Sequence, residues 1–146
     1  DEYILEVDRT LYYLAADLGG DSGMVLVRKY NQHTDQWQEC SRLQLEINTS
    51  YYAVLSCGSH LYLITSTDVH RYDPSQDCWC RRSPSPKLNL NVCTAVALGT
   101  EIFCTDVDLT QTMVYHGRNY RACQTQKNFY LIVIPVFLYW RTSCTY

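Results

Sequence analysis

Tyr72-Asp73-Pro74-Ser75-Gln76-Asp77-Cys78-Trp79 and Tyr30-Asn31-Gln32-His33-Thr34-Asp35-Gln36-Trp37 are two copies of one pattern, a tyrosine followed seven residues later by a tryptophan, set 42 residues apart. A second signature precedes each copy. Cys57-Gly58-Ser59-His60-Leu61-Tyr62-Leu63-Ile64 is an apolar run, a tight Gly turn and a second apolar run; Leu98-Gly99-Thr100-Glu101-Ile102-Phe103-Cys104-Thr105 repeats it 41 residues on, and Val7-Asp8-Arg9-Thr10-Leu11-Tyr12-Tyr13-Leu14 precedes it by 50. A fixed period of this size marks a repeat architecture, and it decides the fold before any local reading does. The difference between the spacings of 50 and 42 is absorbed by a longer loop in the first unit, Leu18 to Met24. Loops take insertions at little free-energy cost.

The units read as strands. Apolar residues alternate or run in short groups bounded by Gly, Pro, Asn and Asp, and no helical period of 3.6 is sustained. In the second unit the expected strands are Tyr51 to Cys57, His60 to Thr65, Val69 to Tyr72 and Cys78 to Arg82. Asp73-Pro74 starts the turn between the last two, because proline presets φ while the carboxylate caps nearby amides. The fold class is all-β, a partial β-propeller of about two and a half to three four-stranded antiparallel blades. Tyr30/Trp37 and Tyr72/Trp79 are expected to fill the wedge that opens between sheets splaying from a common axis.

Composition excludes several functions. Of the 146 residues 47% are apolar and 18% charged, with 13 tyrosines, which argues against disorder and towards strand. The net charge is only −3 and no basic run exceeds Arg81-Arg82, so a nucleic-acid or anionic-membrane footprint is missing. The apolar run from Phe129 to Trp140 is broken by Pro135 and falls short of the roughly 20 residues that a spanning helix needs. Eight cysteines show no disulfide framework. Cys57, Cys93 and Cys104 sit in apolar runs where a thiol acts as a small hydrophobe, so reduced thiols are expected. The chain begins at Asp1 with no leader, which reads as a fragment.

The pattern resembles the kelch repeat, in which a Gly-Gly doublet ends the second strand, a tyrosine lies on the third and a tryptophan follows on the fourth. Gly19-Gly20, Tyr30 and Trp37 match it; Tyr72 and Trp79 match it behind Thr65-Ser66; Tyr115 alone remains in the third unit, where Thr105-Asp106 replaces the doublet and Ala122 the tryptophan. The resemblance implies blades at about 1–44 and 45–88, an incomplete third at about 89–115, and a divergent apolar tail at 116–146. The tail reads as an alternative C-terminus. A kelch propeller closes with about five to seven blades, so a partial one leaves open strand edges at both ends.

Tyr-Asp-Pro followed by Trp is most similar to the BTB-kelch proteins, whose propellers bring substrates to cullin-RING ubiquitin ligases in the cytoplasm. Any cullin would be reached only through a BTB domain, which these residues do not contain. The implied role is a non-catalytic protein-binding module; an actin- or cytoskeleton-associated kelch scaffold is the alternative, and a carbohydrate-active or oxidase kelch domain a remoter one. In the family, partners bind the loops that join second to third strands and fourth strands to the next blade. Here the first set is Gly20 to Met24, Ser66 to Asp68 and Thr105 to Asp108, with Asp21, Ser22, Ser66, Asp68, Asp106 and Asp108 as candidate contacts; the second is Ser83 to Asn91 and Leu43 to Thr49. The four aspartates suggest a basic partner segment.

No catalytic residue, cofactor or metal site is expected. Neither a G-x-S-x-G elbow nor a C-x-x-C pair is present, and Gly19-Gly20-Asp21-Ser22-Gly23 does not lead into a helix as a phosphate loop must. His33, His60, His70 and His116 fall in expected turns or strand ends and read as solvated.

Overall fold

In the computed structural model the described residues are 1–19, 22–45, 50–82, 90–116 and the strand at 119–122. They form thirteen strands in three antiparallel sheets. The first sheet holds β1 (Glu2–Val7), β2 (Thr10–Asp17), β3 (Gly23–Asn31) and β4 (Gln36–Glu39) in that order, with the short β5 (Leu43–Leu45) also on β3. The second holds β6 (Tyr52–Cys57), β7 (His60–Thr65), β8 (Val69–Asp73) and β9 (Cys78–Arg82); the third holds β10 (Val92–Leu98), β11 (Glu101–Asp106), β12 (Thr112–His116) and β13 (Asn119–Ala122). Each is a meander, and together they make consecutive blades of a partial β-propeller.

The first hairpin of every sheet closes through two residues. Val7 pairs with Thr10, Cys57 with His60 and Leu98 with Glu101. Gly58 and Gly99 take φ of 57° and 61°, the left-handed first position of a tight hairpin turn, whereas Asp8 and Arg9 are both left-handed in the first sheet, at 48° and 62°. The same register is thus reached by two turn chemistries.

The loop between third and fourth strands explains the interval of seven. Asn31 pairs with Gln36 and Asp73 with Cys78, so four residues form each loop. At the start of one, Asn31 Oδ1 accepts the amides of His33 at 2.9 Å and Thr34 at 3.3 Å; in the other, Asp73 Oδ1 accepts the Ser75 amide at 2.9 Å. At the end of each an aspartate is left-handed, Asp35 at φ 54° and Asp77 at 48°. This geometry sets Tyr30 directly opposite Trp37 and Tyr72 opposite Trp79, with ring centroids 5.2 and 5.3 Å apart.

The third sheet departs from the sequence expectation. It is not incomplete: β13 pairs along β12, so the sheet continues past Tyr115 to Ala122, within what the pattern assigns to the tail. Its last loop is two residues shorter, His116 pairing with Asn119, and the residue opposite Tyr115 is therefore Tyr120. An interval of seven from Tyr115 overshoots to Ala122. In the first unit Leu43–Leu45 is strand β5, paired to β3, where a loop was expected.

The sheets stack face to face, with their first strands closest and their outer strands splayed. Between the first and second sheets lies a core of Tyr12, Leu14, Val25 and Val27 against Leu61, Leu63 and Tyr72; between the second and third, Leu55, Ile64 and Val69 meet Val92, Ile102, Cys104 and Tyr115. One aromatic contact recurs. Tyr12 on β2 meets Tyr72 on β8 edge-on at 6.3 Å and 66°, and Tyr62 on β7 meets Tyr115 on β12 at 6.4 Å and 66°. These are the same repeat positions at successive interfaces, so the operation relating sheet one to sheet two also relates sheet two to sheet three.

A polar clasp locks the outer part of the first interface. Ser41, in the bend between β4 and β5, donates its amide to Asp77 Oδ1 at 2.7 Å and its hydroxyl to the Asp77 carbonyl, while the Trp79 indole donates to the Ser41 carbonyl at 3.2 Å. Tyr72 completes it, donating to Asp77 at 2.6 Å. Burial, and secondarily the Asp77 bond, push the Tyr72 hydroxyl well above its ordinary range, while the Ser41 amide and the Tyr72 hydroxyl hold Asp77 below its own. The first sheet repeats only half of this: Tyr30 donates to Asp35, and Trp37 is 41% exposed. The wedge role expected for both aromatic pairs is therefore filled by Tyr72/Trp79, while Tyr30/Trp37 lies on an uncovered surface. Ile4, Leu11, Met24 and Trp37 leave the outer face of the first sheet exposed among the described residues.

Leu63→Ala should lower the unfolding free energy by about 2–5 kcal/mol, because Leu63 is fully buried between two sheets that cannot close over the void. Urea titration measures it. In the same assay Asp77→Asn, which keeps a residue tolerant of the left-handed backbone, should cost about 1 kcal/mol, at the low end because the site is solvent-accessible. Asp35→Asn, its repeat equivalent without a Ser41 to hold, should leave the midpoint unchanged.

Candidate functional site

The connections between second and third strands leave equivalent ends of the three sheets, because the aromatic contacts repeat the sheets' orientation. In the first, Leu18 is buried, Gly19 and Ser22 are exposed, and Gly23 opens β3. Gly20 and Asp21 lie outside the described residues. The steric need for glycine falls on Gly23: a Cβ there would lie 2.7 Å from Leu18 Cδ2 and 3.3 Å from Leu45 Cβ, whereas one on Gly19 would meet nothing within 4 Å.

In the second connection Asp68 is buried; its carboxylate accepts two hydrogen bonds and its backbone amide donates a third. Arg81 on β9 donates to Oδ2 at 2.9 Å, Thr67 Oγ1 donates to the same oxygen at 3.0 Å, and the backbone amide of Asp68 donates to Thr65 Oγ1 at 3.0 Å. The Thr65 amide closes the turn on the Asp68 carbonyl at 2.9 Å. Ser66 is half-buried and Thr67 exposed.

The third connection is tied from inside by Asp106. Its carboxylate accepts the Thr110 amide at 2.7 Å, the Thr110 hydroxyl at 2.5 Å and the Gln111 amide at 3.0 Å, and its carbonyl accepts the Leu109 amide at 3.1 Å. Burial by itself would raise the Asp106 carboxyl; the donors from Thr110 and Gln111 outweigh it and hold the group below the usual carboxylate range. Around this knot the chain projects Val107, Asp108 and Leu109, all exposed, with Leu109 left-handed at φ 56°.

The acidic set therefore divides. Asp68 and Asp106 fix their turns and Asp108 alone of the described three points its charge to solvent. The sequence reading missed the apolar residues beside it, Val107 at 47% exposure and Leu109 at 44%. Two apolar residues flanking an aspartate inside a polar turn was the available signal. Of the second loop set, residues 46–49 and 83–89 lie outside the described residues, as does the apolar run at 129–140.

Two other expectations are corrected. His70 is not solvated: it sits in the middle of β8, 5% exposed, with its Nδ1 buried and without a hydrogen-bond partner among the described residues. Burial lowers its affinity for a proton, with the Asp68 carboxylate opposing and Arg81 adding to the effect. Cys93 is exposed on β10, unlike Cys57 and Cys104, which are buried; the six described cysteines are free. Burial raises Cys57 and pushes the Cys104 thiol up to about 12, so neither is an activated nucleophile. Among the described residues no three His, Cys, Asp or Glu side chains cluster as metal ligands, and no helix is long and apolar enough to cross a membrane.

The His70 environment has a pH signature. A histidine held neutral in the fold but titrating near 6.5 when unfolded contributes stability above that value and loses it as the pH falls through it. The urea midpoint should drop between about pH 7.5 and about pH 5.5, a window in which the depressed carboxylates Asp73, Asp77 and Asp106 stay ionised. His70→Leu should flatten the dependence.

No family model matches the chain, and no curated protein matches it.

Proposed function

We propose that the chain is a kelch-type partial propeller that acts as a non-catalytic protein-binding module, the substrate-recognition portion of a cytoplasmic BTB-kelch adaptor for a cullin-RING ubiquitin ligase. The observation that carries this reading is the division of labour in the β11–β12 connection. Asp106 pins the base of the loop through its own hydrogen bonds, and Val107, Asp108 and Leu109 are presented on a fixed scaffold. Preordered loops at one end of stacked sheets suit recognition of a partner, because little entropy remains to be lost on binding. Two apolar side chains around one carboxylate favour a partner segment that offers an apolar patch beside a Lys or Arg. Ser22, Ser66 and Thr67 would supply adaptable polar contacts from the neighbouring connections.

Nothing in this arrangement calls for a cofactor, and the partner class is protein rather than nucleic acid or membrane. The test is affinity capture with the chain as bait, alongside a Val107→Ala/Asp108→Lys/Leu109→Ala variant. Partners enriched by the wild type should fall at least tenfold with the variant. Partners captured equally by both would defeat the proposal.

A further inference from the structure

On β9, the outer strand of the second sheet, Trp79 faces the first sheet, where its indole donates to the Ser41 carbonyl at 3.2 Å. Alternation along the strand then sends Cys78 and Cys80 together to the other face. Register sets Cys78 opposite Asp73 and Cys80 opposite Arg71 on β8. Both thiols are half-buried and free. They lie within hydrogen-bonding reach of one another, and Cys78 Sγ also stands 3.7 Å from Gln76 Oε1.

Same-face neighbours on a strand stand about 6.8 Å apart at their Cα atoms, whereas a disulfide usually draws them to about 5.5–6 Å, so a bond between these sulfurs would compress β9 at Trp79. One shared ion fits better, because two metal–sulfur bonds of about 2.3 Å hold the sulfurs about 4.5 Å apart and leave the strand extended. Among the described residues no three His, Cys, Asp or Glu side chains cluster as ligands, and the neighbouring carboxylate is committed: Asp73 accepts the Ser75 amide at 2.9 Å and its hydroxyl at 2.6 Å, and faces His60 Nε2 at 3.7 Å. Zinc calls for four ligands, while two soft thiolates suit a monovalent ion such as copper(I). Two thiolates on that ion leave one negative charge. Arg71 is placed to offset it: its positive charge acts on Cys78, and its Nε is buried without a partner among the described residues.

We propose that Cys78 and Cys80 form a two-coordinate binding site for copper(I), apart from the loops that the protein-binding reading uses. On binding, two S–H bonds give way to two S–Cu bonds, both protons leave to solvent, and the copper stays monovalent. The bond from Trp79 to Ser41 fixes the rotation of β9, so both sulfurs are presented on one side before the ion arrives.

Anaerobic titration of the reduced full chain with copper(I), in competition with the chelator bicinchoninate, tests this. The wild type should retain one tightly held ion per chain, and an equal concentration of zinc should not displace it. Cys78→Ser and Cys80→Ser should each weaken retention at least tenfold while far-UV circular dichroism stays unchanged; Cys93→Ser, at an exposed thiol on another strand, should bind as the wild type does. Alkylation of the wild type by iodoacetamide, read by peptide mass spectrometry, needs no variant to fold: copper should slow modification of Cys78 and Cys80 and leave that of Cys93 unchanged. A wild type that yields all its copper to the chelator, a Cys78→Ser or Cys80→Ser chain that retains it undiminished, displacement by zinc, or alkylation of Cys78 and Cys80 at the same rate with and without copper would each overturn the proposal. None of these results bears on partner capture by the loops.

Discussion

The edge of one tyrosine ring against its counterpart in the next sheet organises this chain. Edge-on aromatic pairs gain from the match between a ring's positive rim and the negative face it approaches, beyond the apolar area they bury. Here the pair also fixes orientation, because a ring must be met at one height along the strand and from one side. Tyr12 with Tyr72 and Tyr62 with Tyr115 impose that condition twice with nearly identical geometry. Aliphatic neighbours such as Leu14, Leu63 and Ile64 then fill the space so defined.

Polar groups carry the outer part of the same task. Away from the closely approaching first strands the sheets diverge, and apolar contact alone would leave a wet gap. Ser41, Asp77, Tyr72 and Trp79 bridge it with backbone and side-chain bonds. The same logic operates inside the loops, where Asp68 and Asp106 spend their carboxylates on nearby donors. Burying those charges is tolerable because each accepts several bonds, the condition under which an ionised group can leave water.

Much of this was legible in the order of residues because the loops repeat in length. Tyr30 to Trp37 and Tyr72 to Trp79 span equal loops, so the spacing survives in the chain and reveals the meander. The third unit hid its last strand for the same reason inverted: a loop two residues shorter moved the partner of Tyr115 to Tyr120, outside the interval being sought. What sequence could not supply was the environment of single side chains. His70 is polar by type and buried by register, since it lies on the strand face directed at the first sheet. Asp68, Asp106 and Asp108 look alike in sequence, and only the hydrogen bonds of the turns separate two structural carboxylates from one presented to solvent. Gly19 and Gly23 were likewise indistinguishable until Leu18 was seen to occupy the space where a Cβ on residue 23 would go.

The knot beneath Val107, Asp108 and Leu109 separates two demands that often conflict in a recognition loop. Its closure is written in Asp106, Thr110 and Gln111, and its exposed chemistry in the three residues between. If the loop binds a partner as proposed, substitutions at the tip would retune that contact without loosening the loop, because the bonds that close it lie in other residues.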